Sequence, residues 1–156
     1  MFRFPTFLFA IFILFAVVSC RQDGTYSEFR DIPSKGWNRY DTLFFSPKLD
    51  SARAYKITLE TRNHANYPYQ NIWFFIHCQQ DTTVLFSDTV QVILADKMGK
   101  WFGSGWGSLY ELSTPYKSSV RFPKSNKPLT IKVIQGMRDY DLQGIESVGL
   151  TIQPIN

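Results

Sequence analysis

From Tyr40 to the C-terminus the apolar positions recur with a period of two, in short runs separated by Gly, Pro, Asn and Asp, which predicts strands and no helix of useful length. The cleanest alternation is Arg53 to Thr61, where Tyr55, Ile57 and Leu59 share one face while Lys56, Thr58 and Glu60 share the other. That is the pattern of a half-buried strand with its polar side in water. Asn71 to Cys78 differs, because Ile72, Phe74 and Ile76 fill one face and Trp73 and Phe75 fill the other. A strand apolar on both sides is expected to be central and covered twice, with Trp73 and Phe75 buried. Further runs are Tyr40 to Phe45, Thr83 to Phe86, Thr89 to Leu94, Ser108 to Leu112, Ser119 to Phe122, Leu129 to Gln135 and Glu146 to Gln153. In the last, Val148, Leu150 and Ile152 share a face. Short strands without crossover helices predict an all-β fold, an antiparallel β-sandwich with the jelly roll among its topologies. A closed barrel would show the same periodicity.

The beginning of the chain follows a different rule. A short start containing Arg3 precedes an unbroken apolar run from Phe7 to Val18, and the run closes on Ser19-Cys20. It is too short to cross about 30 Å of hydrocarbon as a helix, and small residues before a cleavage point mark a secretory leader. Residues 1–19 thus read as a signal peptide. Arg21 to Lys35 is polar, with Gly24 and Pro33 and little periodicity, so residues 20–36 read as a tether and 37–156 as one β-sandwich domain. Cys20 directly after Ser19 resembles the lipobox of bacterial lipoproteins, in which the cysteine is lipidated and becomes the new N-terminus. The usual multiple acyl chains would make the membrane a stable partner through Cys20, where one chain alone is marginal. Arg21 stands where lipoproteins retained in the inner membrane of enteric bacteria carry Asp, so the outer membrane is the expected site, with the leaflet left open.

Composition changes the picture in two ways. Aromatic residues make up 17% of the chain, a payload suited to packed sheets. The net charge of +4 is spread along the sequence without the basic stripe that nucleic-acid binding needs, so no nucleic-acid partner is expected. If Cys20 carries lipid, Cys78 is the remaining thiol and reads as a small core residue. Its neighbour His77 would point to the opposite face of the strand, which excludes a Cys-His pair.

Catalytic chemistry has little to work with. His64 and His77 are the two histidines, no Gly-x-Ser-x-Gly turn occurs, and Gly103-Ser104-Gly105 reads as a hairpin whose glycines permit positive φ. Asp139 and Asp141 lack a partner His at metal-ligand spacing and read as turn residues, with an Asp-lined calcium site left open. Neither an enzyme nor a cofactor is expected.

Two connections are chemically richer than a loop requires: Arg62 to Asn71, containing Tyr67-Pro68-Tyr69, and Asp96 to Gly107, containing Trp101 and Trp106. Taken with the lipobox, Asn71-Ile72-Trp73, Met137-Arg138, Gly144-Ile145 and Val148-Gly149-Leu150, they resemble the GldH family of gliding-motility lipoproteins of the Bacteroidota. Phe102, between Trp101 and Gly103, departs from the mostly glycine loop of that pattern. The resemblance implies a non-enzymatic envelope lipoprotein, an accessory or assembly component of the gliding and type IX secretion machinery, with other envelope proteins as partners. Asp41-Thr42-Leu43, Asp50-Ser51-Ala52, Asp81-Thr82-Thr83 and Asp88-Thr89-Val90 also resemble that group's O-glycosylation acceptors, and read equally as strand ends.

Tyr67, Tyr69, Trp101, Trp106 and Arg138 are the candidate partner-binding residues, expected as a patch at one end of the sandwich, since aromatic residues and Arg dominate interface energetics. Alternatives are ring packing, an intramolecular pair of Arg138 with Asp139 or Asp141, and a stacking platform for carbohydrate. A flat row of exposed rings would favour sugar, and an irregular apolar patch a protein.

Overall fold

The computed structural model describes residues 24–155, and in them the alternation of the sequence becomes eleven strands. They are β1 (Tyr26–Asp31), β2 (Trp37–Asn38), β3 (Leu43–Phe45), β4 (Ala54–His64), β5 (Asn71–Gln80), β6 (Thr83–Ile93), β7 (Ser104–Trp106), β8 (Leu109–Arg121), β9 (Leu129–Gln135), β10 (Asp141–Leu142) and β11 (Ile145–Ile155). One sheet has the order β1-β11-β4-β8-β7 and the other β3-β9-β5-β6, while β2 and β10 form a two-stranded ribbon. Every named pairing is antiparallel. The two sheets form a sandwich, not a closed barrel.

The core lies between the sheets. Tyr55, Ile57 and Leu59 of β4 and Val148, Leu150 and Ile152 of β11 are buried on one side, against Phe74, Ile76 and Cys78 of β5 and Ile131 and Val133 of β9. Trp37 plugs the interior from the ribbon: its ring lies 6.1 Å from Phe74 and its indole N–H donates to the Asp41 carbonyl at 3.0 Å. Asp88 of β6 bridges to β8, accepting from the Tyr116 hydroxyl at 2.6 Å and pairing with Lys117 Nζ at 2.8 Å. Lys117 and then Tyr116 hold its carboxyl below the usual carboxylate range.

Several expectations are corrected. The stretch read as a tether contains β1, which pairs along β11 from Tyr26–Ile152 to Asp31–Ser147. Its alternation is weak because Phe29 lies on the outer face, over Gly149, where a Cβ would come within 2.9 Å of the ring. The Arg62 guanidinium covers that ring at 3.8 Å. This outer layer also buries Glu60, expected in water, which accepts a hydrogen bond from the Ser113 hydroxyl. Trp73 is half-buried and Phe75 is 40% exposed, so β5 is central in its sheet but uncovered on its outer face. Within Tyr40 to Phe45 only Leu43–Phe45 is strand, and Tyr40 is exposed.

Strand continuity was underestimated elsewhere. Thr83 to Phe86 and Thr89 to Leu94 belong to the single strand β6, and Ser108 to Leu112 and Ser119 to Phe122 fall largely within β8, which continues through Pro115 with a shift of register against β4 directly after it. Proline is tolerated there because β7 covers only Leu109 to Glu111, leaving the rest of β8 as a sheet edge whose outward N–H groups need no partner. The short strand β7 itself reads as a loop in the sequence.

Two substitutions test this packing. Phe74→Ala empties a fully buried position and should cost about 3 to 5 kcal/mol, lowering Tm by about 10 °C or more. An unchanged melting temperature would contradict the core described. Gly144 has φ +84°, and a Cβ there would lie 2.7 Å from Tyr67 Cα. Gly144→Ala should therefore destabilise by about 2 kcal/mol, measured by denaturant midpoint, through backbone strain of about 1 to 2 kcal/mol plus the clash.

Candidate functional site

The long strands run between two opposite ends. His64, Asn71, Ile93, Leu109, Gln135 and Ile145 lie at one, and Ala54, Gln80, Thr83, Arg121 and Leu129 at the other, as the registers of β4, β5, β8, β9 and β11 require. β1 enters at the second end, with Tyr26 opposite Ile152. The five candidate residues Tyr67, Tyr69, Trp101, Trp106 and Arg138 all belong to segments at the first end, away from the point where the chain enters.

They do not form one surface. Tyr67 is only 4% exposed, and its hydroxyl donates to the Asn71 carbonyl at 2.9 Å. Burial pushes that hydroxyl's pKa up, so its expected place in an exposed patch is corrected to a core wedge. It is pinned there because Gly144 packs directly on its backbone. Trp101 is half-buried, its ring 6.4 Å from Tyr67 and 5.9 Å from Tyr110. Both rings fasten their loops to the end of the sandwich.

Tyr69 and Arg138 do come together. With Trp73, Phe75, Gly136 and Met137 they line an open groove of about 380 Å³ on the outer face of the β3-β9-β5-β6 sheet. Gly136 leaves room for the two rings of β5, since a Cβ would lie 3.1 Å from Trp73 and 3.3 Å from Phe75. Its N–H donates to the Trp73 carbonyl at 2.7 Å. The turn that follows is held by Gln135, whose buried amide donates to the Asp139 carbonyl at 3.0 Å while its oxygen accepts from the Met137 N–H at 2.8 Å. Arg138 is thereby presented to solvent, and no ion pair with Asp139 or Asp141 forms among the described residues. The nearby Asp139 carboxylate instead raises the pKa of the Tyr69 hydroxyl, while Asp141 accepts from the Asn38 side chain at 2.8 Å.

Trp106 stands apart, 95% exposed at the tip of the β7–β8 hairpin. The positive φ of this hairpin belongs to Gly107, at +65°, and not to Gly103 or Gly105. Those two are glycines because β8 runs too close: a Cβ on Gly105 would sit 2.0 Å from the Leu109 carbonyl oxygen. Further exposed apolar side chains at this end, absent from the sequence-based selection, are Tyr40 and Tyr140, edge to face at 5.7 Å, with Met98 and Phe102. The signal for the groove was present in the sequence as the second apolar face of Asn71 to Cys78. Periodicity alone does not distinguish such a face from one under a covering layer.

The arrangement is suited to binding. The exposed rings lie in separate places, at the hairpin tip, in the groove and beside the ribbon, so they make an irregular apolar surface and not a row of stacking platforms. His64 Nε2 meets Glu146 at 2.7 Å beside a more polar cavity lined by Ser108 and Gln143, and His77 Nδ1 meets the Ser87 hydroxyl at 2.7 Å. Cys78 faces the core, where burial pushes its thiol up to about 12. Of the four acceptor-like threonines and serines, Ser51 and Thr82 sit in turns at the chain-entry end, Thr42 in a connection and Thr89 on β6. Cys20 lies outside the described residues.

Comparison with known proteins bears on the chain from end to end. The family model described as GldH lipoprotein matches residues 24–152, a range that begins before β1 and includes it. A gliding motility lipoprotein GldH homolog of Christiangramia forsetii is 29% identical over 96% of this chain and 95% of its own length. The gliding motility lipoprotein GldH of Flavobacterium johnsoniae is 26% identical over 94% of this chain and 92% of its own. Dimeric latent PorU from Porphyromonas gingivalis aligns at a TM-score of 0.28 and 11% identity, over 84% of this chain and 13% of that one. With the match running through all but the last strand's end, this chain belongs to the GldH lipoprotein family.

Proposed function

We propose that this chain is a lipid-anchored envelope lipoprotein, a non-enzymatic accessory or assembly component of the gliding motility and type IX secretion machinery, held in the outer membrane through Cys20. Its working surface is the end of the sandwich away from the anchor, where the groove of Tyr69, Trp73, Phe75, Met137 and Arg138 receives another envelope protein of that machinery. The family and the names of its two relatives support the setting. The observation that carries the reading is the exposed aromatic groove with Arg138 at its rim, without an ion-pair partner among the described residues, placed at the opposite end from chain entry. Solvent-facing aromatic rings beside an arginine are the composition of an interface hot spot.

Two experiments test it. Metabolic labelling with an alkyne analogue of palmitate should mark the wild-type chain and not Cys20→Ala, and Cys20→Ala should be released or misprocessed. Absence of label on the wild type would sink the anchor. For the working surface, cross-linked pull-downs from envelopes are compared for wild type, Arg138→Ala, Phe75→Ala and Trp106→Ala, alongside thermal melts. Arg138→Ala and Phe75→Ala should each weaken capture of gliding and secretion components by about 2 kcal/mol or more, with Tm nearly unchanged because both side chains are exposed. Full capture by every variant would place the interface elsewhere.

A further inference from the structure

Gly24 is four positions after Cys20 and packs at the chain-entry end, where a Cβ on it would lie 3.6 Å from Arg53 Nη1 and 3.8 Å from Pro154 Cγ. Four residues reach at most about 14 Å when fully extended, less than two Debye lengths at physiological salt. A group attached at Cys20 therefore holds this end near enough to a bilayer for its side chains to reach the headgroups, within the Debye length over which exposed charges act. Its surface is unlike the rest. Among the described residues Lys48, Arg53, Arg121, Lys124 and Lys127 are exposed there, against two carboxylates, Asp50 and Asp81. Asp50 is turned to the Ala52 N–H at 2.9 Å, and Asp81 pairs with Lys127 at 3.6 Å. Lys48, Arg53, Arg121 and Lys124 have no carboxylate partner among the described residues.

The cations sit on a prepared frame. The connections that carry Lys48, Lys124 and Lys127 also contain Pro47, Pro123 and Pro128, and together they rim a cavity of about 750 Å³. Proline fixes φ at each of these places, so the loops present their lysines with little freedom to fold back. At the opposite end the charges alternate, with Lys97 beside Asp96, Arg138 beside Asp139 and Arg39 near Asp41. The basic excess belongs to the end that faces the anchor.

We infer that this end is a docking surface for anionic phospholipid headgroups in the leaflet that holds the lipid, so that the sandwich stands upright with its aromatic end pointing away from the bilayer. The inference rests on the reading of Cys20 as the lipid-bearing residue. Each cation close to an anionic surface tilts the docked-to-undocked ratio about fivefold, and the tether supplies the proximity without any other contact. Salt weakens the effect because the contacts are exposed.

The test uses the mature lipoprotein reconstituted in vesicles of phosphatidylcholine alone or mixed with phosphatidylglycerol. Acetylation of each lysine is followed by mass spectrometry, and anchoring is scored separately by flotation. Phosphatidylglycerol should slow labelling of Lys48, Lys124 and Lys127 roughly fivefold or more, leave Lys97 and Lys100 unchanged, and lose its effect at high salt. Lys48→Glu combined with Lys124→Glu, with Tm checked, should return Lys127 to its rate on neutral vesicles. Equal labelling at the two ends in both lipids, on protein that floats, overturns the docking surface and leaves the anchor standing. Protein that does not float overturns the anchor, and the docking surface with it.

Discussion

Each sheet of an antiparallel sandwich can bury one face, and the contact between the two inner faces is the constraint on which the other features of this molecule depend. Tyr55, Ile57 and Leu59 meet Phe74, Ile76 and Cys78 across that contact, with Trp37 inserted from the ribbon, and no water-facing side chain interrupts it. Because side chains alternate along a strand, choosing Phe74 for the interior commits Trp73 and Phe75 to the outside. On β4 the inward Leu59 likewise sends Glu60 outward, and there the Ser113 hydroxyl donates to it. On one outer face the Phe29 ring of the edge strand β1 packs over Gly149, while on the other Phe75 stays exposed.

The uncovered face keeps an aromatic pair in water. An aromatic pair left outside a sheet has a hydrophobic cost in water that a bound partner removes, and natural monomers rarely keep such patches without use. Around the pair the chain spends buried polar groups on placement: Gln135 shapes the turn that displays Met137 and Arg138, and Tyr67 with Gly144 locks the loop that displays Tyr69. These inner residues touch no partner. They determine where the outer ones stand.

Strand direction then sorts the two ends by chemistry. Since β1 enters beside the 46–53 and 122–128 connections, the aromatic segments are necessarily remote from the point where the chain enters the sandwich. With β1 beginning at Tyr26, the folded domain starts well before residue 37, and the stretch that precedes it is shorter than a tether through residue 36 would be.

Much of this was legible in the chain. The period of two, the turn residues between runs, the inward sets Tyr55-Ile57-Leu59 and Val148-Leu150-Ile152, and the end at which Tyr69, Trp106 and Arg138 sit all follow from local spacing and order. Resemblance to a family was legible too, because it rests on residues in sequence. Burial of a particular face was not. Whether Phe75 is covered, whether Tyr67 is wedge or surface, and whether Tyr26–Asp31 is strand or tether depend on which distant segment lies alongside. Pro115 could interrupt β8 or ride its free edge, and only the extent of β7 decides. Periodicity is a property of a chain with its own neighbours, whereas coverage is a property of contacts between segments far apart in sequence, so the first was set by the sequence alone and the second waited for the tertiary structure.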